Sequence, residues 1–138
     1  MEVKIYNKPS EKGMAVREKV FIKEQGFSYD RDETDDNAYH IVLFEGETAI
    51  GVCRIFESDE KNVYILGRLA VEKEHRGKGY GKIIIEQAVE YVKSIKGESV
   101  ILHSQMQAKE FYKKQGFKEY GDIEYEEDCP HIWMKLKL

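Results

Sequence analysis

A chain of 138 residues is sized for one domain with a core of ordinary dimensions. Hydrophobic residues at 41% and charged residues at 35% describe a globular protein rather than a disordered tail. The 22 Lys and Arg against 26 Asp and Glu give a net charge of −4, so no overall basic field attracts nucleic acid.

VKIY at 3–6 predicts a short first strand. Ser10 is an N-cap for a helix running to Gln25 and closed by Gly26, and spacings of three and four bring Arg17, Phe21 and Glu24 toward one face. From Phe27 to Ala38 the chain is polar and acidic and reads as a solvated loop. Its run DRDETDD (30–36) could attract a cationic amine but departs from the calcium-loop order at Thr34 and Asp35. HIVLFEG (40–46) and TAIGVCRIFE (48–57) predict a hairpin, and NVYILGRLAV (62–71) a more apolar, central strand.

A second helix is expected from about Gly79 to Ile95, where Ile84, Ile85, Ala88, Val89, Val92 and Ile95 share one stripe. SVILH (99–103) reads as a buried strand and QMQAKEFYKK (105–114) as a helix ended by Gly116. FKEYG (117–121) and HIWMKLKL (131–138) read as a closing strand pair around an acidic loop. This order implies a mixed α/β sheet with helices against its faces. Strand edges near the C-terminus are compatible with a homodimer.

No apolar run approaches the roughly 20 residues that cross a bilayer, and MEVKIYNKPS has no apolar signal segment. Cytoplasm is therefore the expected location, with no membrane partner. Cys53 and Cys129 are expected as free thiols. CPH (129–131) with His40 lacks metal-ligand spacing, so no metal is expected.

The stretch HRGKGYGK (75–82) mixes Gly77, Gly79 and Gly81 with Arg76, Lys78 and Lys82. A Walker loop fails here because no Ser or Thr follows a Gly-Lys pair, and the dinucleotide fingerprint fails because Lys82 stands at its last glycine. What remains is a strand, a short basic turn and a helix start. Its backbone N–H groups and helix dipole suit a pyrophosphate, although glycines of this kind also serve a plain solvated turn.

GRLAV (67–71) followed by R-G-K-G-Y-G (76–81) resembles the acyl-CoA-binding signature of the GNAT N-acetyltransferase superfamily, Q/R-x-x-G-x-G/A, with Arg76, Gly79 and Gly81 in its three places. QMQAKEFYKKQGF (105–117) resembles the second signature, N-x-x-A-x-x-F-Y-x-x-x-G-F, through Ala108, Phe111, Tyr112, Gly116 and Phe117, with Gln105 in place of the common Asn. The resemblance runs from about Val20 to the C-terminus. VREKVFIKEQGF (16–27), the acidic loop ending near His40 and HIWM (131–134) are similar to the small bacterial ElaA-like subgroup.

The resemblance implies a mostly antiparallel sheet with one splayed strand pair and helices on both faces. It also implies acetyl transfer from acetyl-CoA to a small-molecule or peptide amine. The pyrophosphate would sit on Arg76, Gly77, Lys78, Gly79, Tyr80, Gly81 and Lys82, and the pantetheine arm beside Leu69, Ala70 and Val71. Gln105 takes a polar role, and Phe111 and Lys114 line the adenosine side.

Backbone N–H groups near Leu69–Val71 would hold the oxyanion. Tyr112 would protonate the departing thiolate, since a phenol with a pKa of about 10 stays protonated at neutral pH; its helical spacing suits core packing equally. Glu24 is the first candidate base, with His40 and His103 as alternatives. Arg17 and Arg68 could bind an anionic group on the acceptor or merely form ion pairs. A non-catalytic acyl-CoA-binding module on the same fold is the competing reading, separated from the enzyme by turnover. A metal-dependent or nucleotide-binding domain would instead be stabilised by zinc or ATP.

Overall fold

The computed structural model describes residues Met1–Leu138. Strands β1 (Glu2–Tyr6), β2 (Tyr39–Glu45), β3 (Thr48–Glu57), β4 (Val63–Val71), β5 (Ser99–Gln105), β6 (Lys118–Glu126) and β7 (Cys129–Lys137) form one sheet. Their order is β1-β2-β3-β4-β5-β7-β6. Every neighbouring pair is antiparallel except β4 and β5, which run parallel.

Alternation along each strand divides the core into two layers. In β2, Ile41 and Leu43 point into one layer, with Leu66, Val100 and Leu102. Val42 and Phe44 point into the other, with Val16, Val20 and Phe21. Helix α2 (Tyr80–Ser94) fills the first layer with Ile84, Ile85, Ala88 and Val92, at the spacings its sequence predicts. It lies close to β3, because a Cβ on Gly51 would stand 2.6 Å from Ile84 Cδ1. Helix α3 (Lys109–Lys114) adds Tyr112 to the same layer, beside Phe117.

The helix predicted from Ser10 to Gln25 changes character midway. Ser10 caps α1 (Glu11–Arg17) by accepting from Gly13 N–H. The next seven residues, Glu18–Glu24, form a π-helix, and Gln25 N–H continues the wider pattern by donating to Val20 O. Gly26 then adopts φ +79° and the segment stops.

Two expected loops are more ordered than predicted. Residues Glu33–Asn37 form a 3-10 turn with a capping box between Asp32 and Asp35. The acidic stretch after Gly121 continues β6 to Glu126 and turns through Glu127 and Asp128, both at positive φ, into β7. Strand β6 is an edge strand exposed along its length. Cys53 and Cys129 are free thiols. No helix is long and apolar enough to cross a membrane.

Candidate active site

The site begins where β4 and β5 part. Their parallel pairing covers Val63–Leu66 against Ser99–Leu102 and goes no further. Beyond it the β3–β4 register shifts between Val52 and Arg54, and Arg68 takes φ +54°. This bulge turns β4 aside, while β5 continues straight against β7 as far as Gln105. A cleft of about 570 Å³ opens between them, bordered by Gly67 and Leu69 on β4 and by His103 and Gln105 on β5. Phe111 and Tyr112 form part of its wall on one side of the sheet, and Phe21, Phe27 and Tyr29 part of its wall on the other.

The β4 edge facing the cleft has no strand partner after Leu66, so its backbone groups are available to an extended ligand. Ala70 and Val71 pair with Val52 and Gly51 on the opposite edge, which fixes that ribbon in place. Tyr112 is buried, and burial, with Cys53 nearby, pushes its phenol well above the ordinary range. A phenol in that environment stays protonated at neutral pH.

After β4 the chain makes a 3-10 turn, Lys73–His75, and enters the glycine loop. Gly77 and Gly79 adopt φ +78° and +81°, and Gly79 is the N-cap of α2 without any side-chain cap. The first-turn N–H groups of a fifteen-residue helix are thus left for an outside acceptor. Lys78, Lys82 and Lys114 are exposed. A Cβ on Gly81 would stand 3.2 Å from the Phe111 ring, so α3 packs directly against the loop.

Several sequence-predicted site residues have other partners. Glu24 holds Arg76 through both carboxylate oxygens, at 2.6 and 2.7 Å. That bond keeps its carboxyl below the usual range, contrary to what a general base requires, and Glu24 is not part of the cleft wall. Arg17 is 2% exposed and bonded to Asp30 and Asp35, so it has no donor to offer an acceptor. Arg68 does border the cleft but is paired with Asp30 and Asp32. His40 is buried, with Nε2 2.8 Å from the Asp35 carbonyl, and burial lowers its pKa.

The acidic run 30–36 is therefore no solvated loop. Asp30, Asp32 and Asp35 interlock with Arg17, Arg54 and Arg68 in one ion-pair network. Burial raises the Asp35 carboxyl, but hydrogen bonds from Arg17 and Arg54 outweigh it and leave that group far below the ordinary carboxylate range.

His103 stands in the cleft as expected, one residue past the last β4–β5 pair. Its neighbours are new. Its ring stacks on Trp133 at 4.6 Å and lies 5.0 Å from His131, and its Nδ1 is hydrogen-bonded to Glu126. Alternation in HIWMKLKL could have found His131 and Trp133, but Glu126 was hidden by the loop expected there. Gln105 donates to Gln25 at 2.8 Å, tying β5 to the end of the π-helix. No group of His, Cys, Asp and Glu is arranged to hold a metal.

Comparison with known proteins agrees with this architecture. Residues 5–138 match the family model described as an acetyltransferase (GNAT) domain. YjcF of Bacillus subtilis, an uncharacterised N-acetyltransferase, is 37% identical over 123 residues, covering 86% of each chain. The Escherichia coli ElaA structure superposes with a TM-score of 0.84 at 27% identity over 97% of each chain. A crystal structure from Lactobacillus plantarum reaches a TM-score of 0.90 at 25% identity, over 99% of this chain and 97% of that one. The chain therefore belongs to the GNAT acetyltransferase family, and its relatives include the ElaA-like proteins.

Proposed function

We propose that the protein transfers the acetyl group of acetyl-CoA to a primary amine by direct attack, with Tyr112 as general acid. Family membership supports the donor, and the backbone of Arg76–Lys82 offers its pyrophosphate a helix N-terminus framed by glycine. The pantetheine amides pair with the open β4 edge at Leu69–Val71. An N–H of that edge receives the oxyanion as the amine adds to the thioester. Phe111 and Lys114 flank the adenosine end, and Gln105 holds the far wall of the cleft through Gln25.

The observation that carries this reading is the buried Tyr112 phenol on the wall of a cleft that opens between parted strands. When the tetrahedral intermediate collapses, the C–S bond breaks and the thiolate takes the phenol's proton. The test is acetyl-CoA consumption by the Tyr112→Phe variant. Turnover falls about 100-fold with coenzyme A affinity kept; turnover equal to wild type would remove Tyr112 from the chemistry.

A further inference from the structure

The charges of the cleft differ sharply between its walls. Its arginines are all held from behind: Arg54 by Asp32 and Asp35, and Arg68 by Asp30 and Asp32. Arg54 Nε and Arg68 Nη1 keep no hydrogen-bond partner, but the charge of each guanidinium is already offset by these carboxylates, so an anionic acceptor group meets no uncompensated cation there. On the opposite wall the hairpin reads GDIEYEED (121–128), five acids without a base. Glu126 and Glu127 reach the cleft, and Glu127 also accepts from Ser28 N–H and Oγ, joining the hairpin to the roof.

The partners of Glu126 are histidines alone. His103 Nδ1 bonds its carboxylate, and His131 Nε2 lies 3.7 Å away. Because a carboxylate only accepts, the proton of that bond sits on His103 Nδ1. The second ring nitrogen, Nε2, is buried without a hydrogen bond, 3.7 Å from Glu124. Stacking on Trp133 fixes the ring plane and so fixes where Glu126 points.

We infer that Glu126, braced by His103, receives the ammonium of the acceptor, and that the acceptor is a diamine or polyamine without an anionic substituent. This rests on the acetyl-transfer reading. The bound ammonium gives one proton to the Glu126 carboxylate, which passes it to solvent. The neutral amine attacks the carbonyl carbon, the C–N bond forms and the C–S bond breaks. The second proton leaves the nitrogen as the amide forms and balances the one Tyr112 gives to sulfur. The remaining ammonium of the diamine is met by the other hairpin carboxylates, Glu124 and Glu127. His103 is a positioning residue, since it acts through Glu126.

The experiment compares acceptors differing only by a carboxylate, 1,4-diaminobutane against ornithine, at saturating acetyl-CoA. Wild-type kcat/KM favours the diamine by about tenfold or more. Glu126→Gln lowers kcat/KM for the diamine about 100-fold and erases the preference, while coenzyme A affinity and Tm stay at wild-type values. His103→Asn lowers kcat more than it raises KM. Preference for ornithine, or a preference that survives Glu126→Gln, overturns the inference. Should no amine turn over, calorimetry of 1,4-diaminobutane with the coenzyme A-loaded protein decides. Saturable binding lost in Glu126→Gln upholds the inference and its absence overturns it. Failure to bind coenzyme A, or coenzyme A binding without thiol release from any amine, would instead sink the acetyl-transfer reading, while that calorimetry still decides the ammonium site.

Discussion

Arg17 shows how far the role of one side chain depends on what the chain brings to it. Near Glu24 on one helix face, it read either as a cation for an anionic group of the acceptor or as a member of a surface ion pair. The structure buries it between Asp30 and Asp35, at 2.9 and 2.7 Å. Removing one member of such a network leaves buried carboxylates uncompensated. Arg17→Met should therefore destabilise the protein by about 3–5 kcal/mol, measured by urea denaturation. The same network sets an acid limit. The Asp35 pKa is depressed in the folded state, so its stabilisation is complete above the unfolded carboxyl value of about 3.9. It is lost as pH falls from there toward the folded value. The urea midpoint should drop below about pH 4, and Arg17→Met should flatten that dependence. A wild-type midpoint constant from pH 6 to pH 3 would contradict the assignment.

At the scale of elements, the first helix ends as a bridge over the splayed strands. Glu24 holds Arg76 beyond β4, and Gln25 holds Gln105 at the end of β5. Glu24 thereby competes with an incoming pyrophosphate for Arg76. Glu24→Gln should lower the Kd for coenzyme A by up to about fivefold, the range of an exposed ion pair, and leave kcat within about threefold. A kcat collapse would restore Glu24 as the base. In the glycine loop, Gly79 sits at φ +81° with nothing near the position of a Cβ. Gly79→Ala therefore costs conformational energy of about 1–2 kcal/mol without a steric clash, and should weaken coenzyme A binding more than it lowers Tm.

The start of α2 was legible because Gly79, the basic turn and the apolar stripe agree at every level. The π-helical turn was not, because a one-residue widening leaves hydrophobic spacing nearly unchanged. The closing strand pair was expected, but the continuation of β6 from Gly121 to Glu126 was not, for a different reason. Ile123 and Tyr125 do alternate with acids, but the strand is exposed on both faces, and five acids in the eight residues GDIEYEED outweigh so short an alternation and read as a loop.

For the whole molecule, the sheet is the instrument that makes the site. Two core layers hold β4 and β5 rigidly up to Leu66 and Leu102, and the bulge at Arg68 forces them apart immediately afterwards. The two signatures around Arg76 and Tyr112 were enough to anticipate this arrangement. The hairpin wall of the cleft was not, because His103, Glu126 and His131 meet only through long-range pairing of β5, β6 and β7. Coenzyme A at 100 times its Kd should stabilise the fold by about 2.7 kcal/mol, with no comparable shift from ATP or zinc. The central claim is acetyl transfer to an amine through this cleft. It is tested most directly by free-thiol release from acetyl-CoA with 1,4-diaminobutane, in wild type and Tyr112→Phe. The account predicts amine-dependent release that falls about 100-fold in the variant; coenzyme A binding without thiol release from any amine would contradict it.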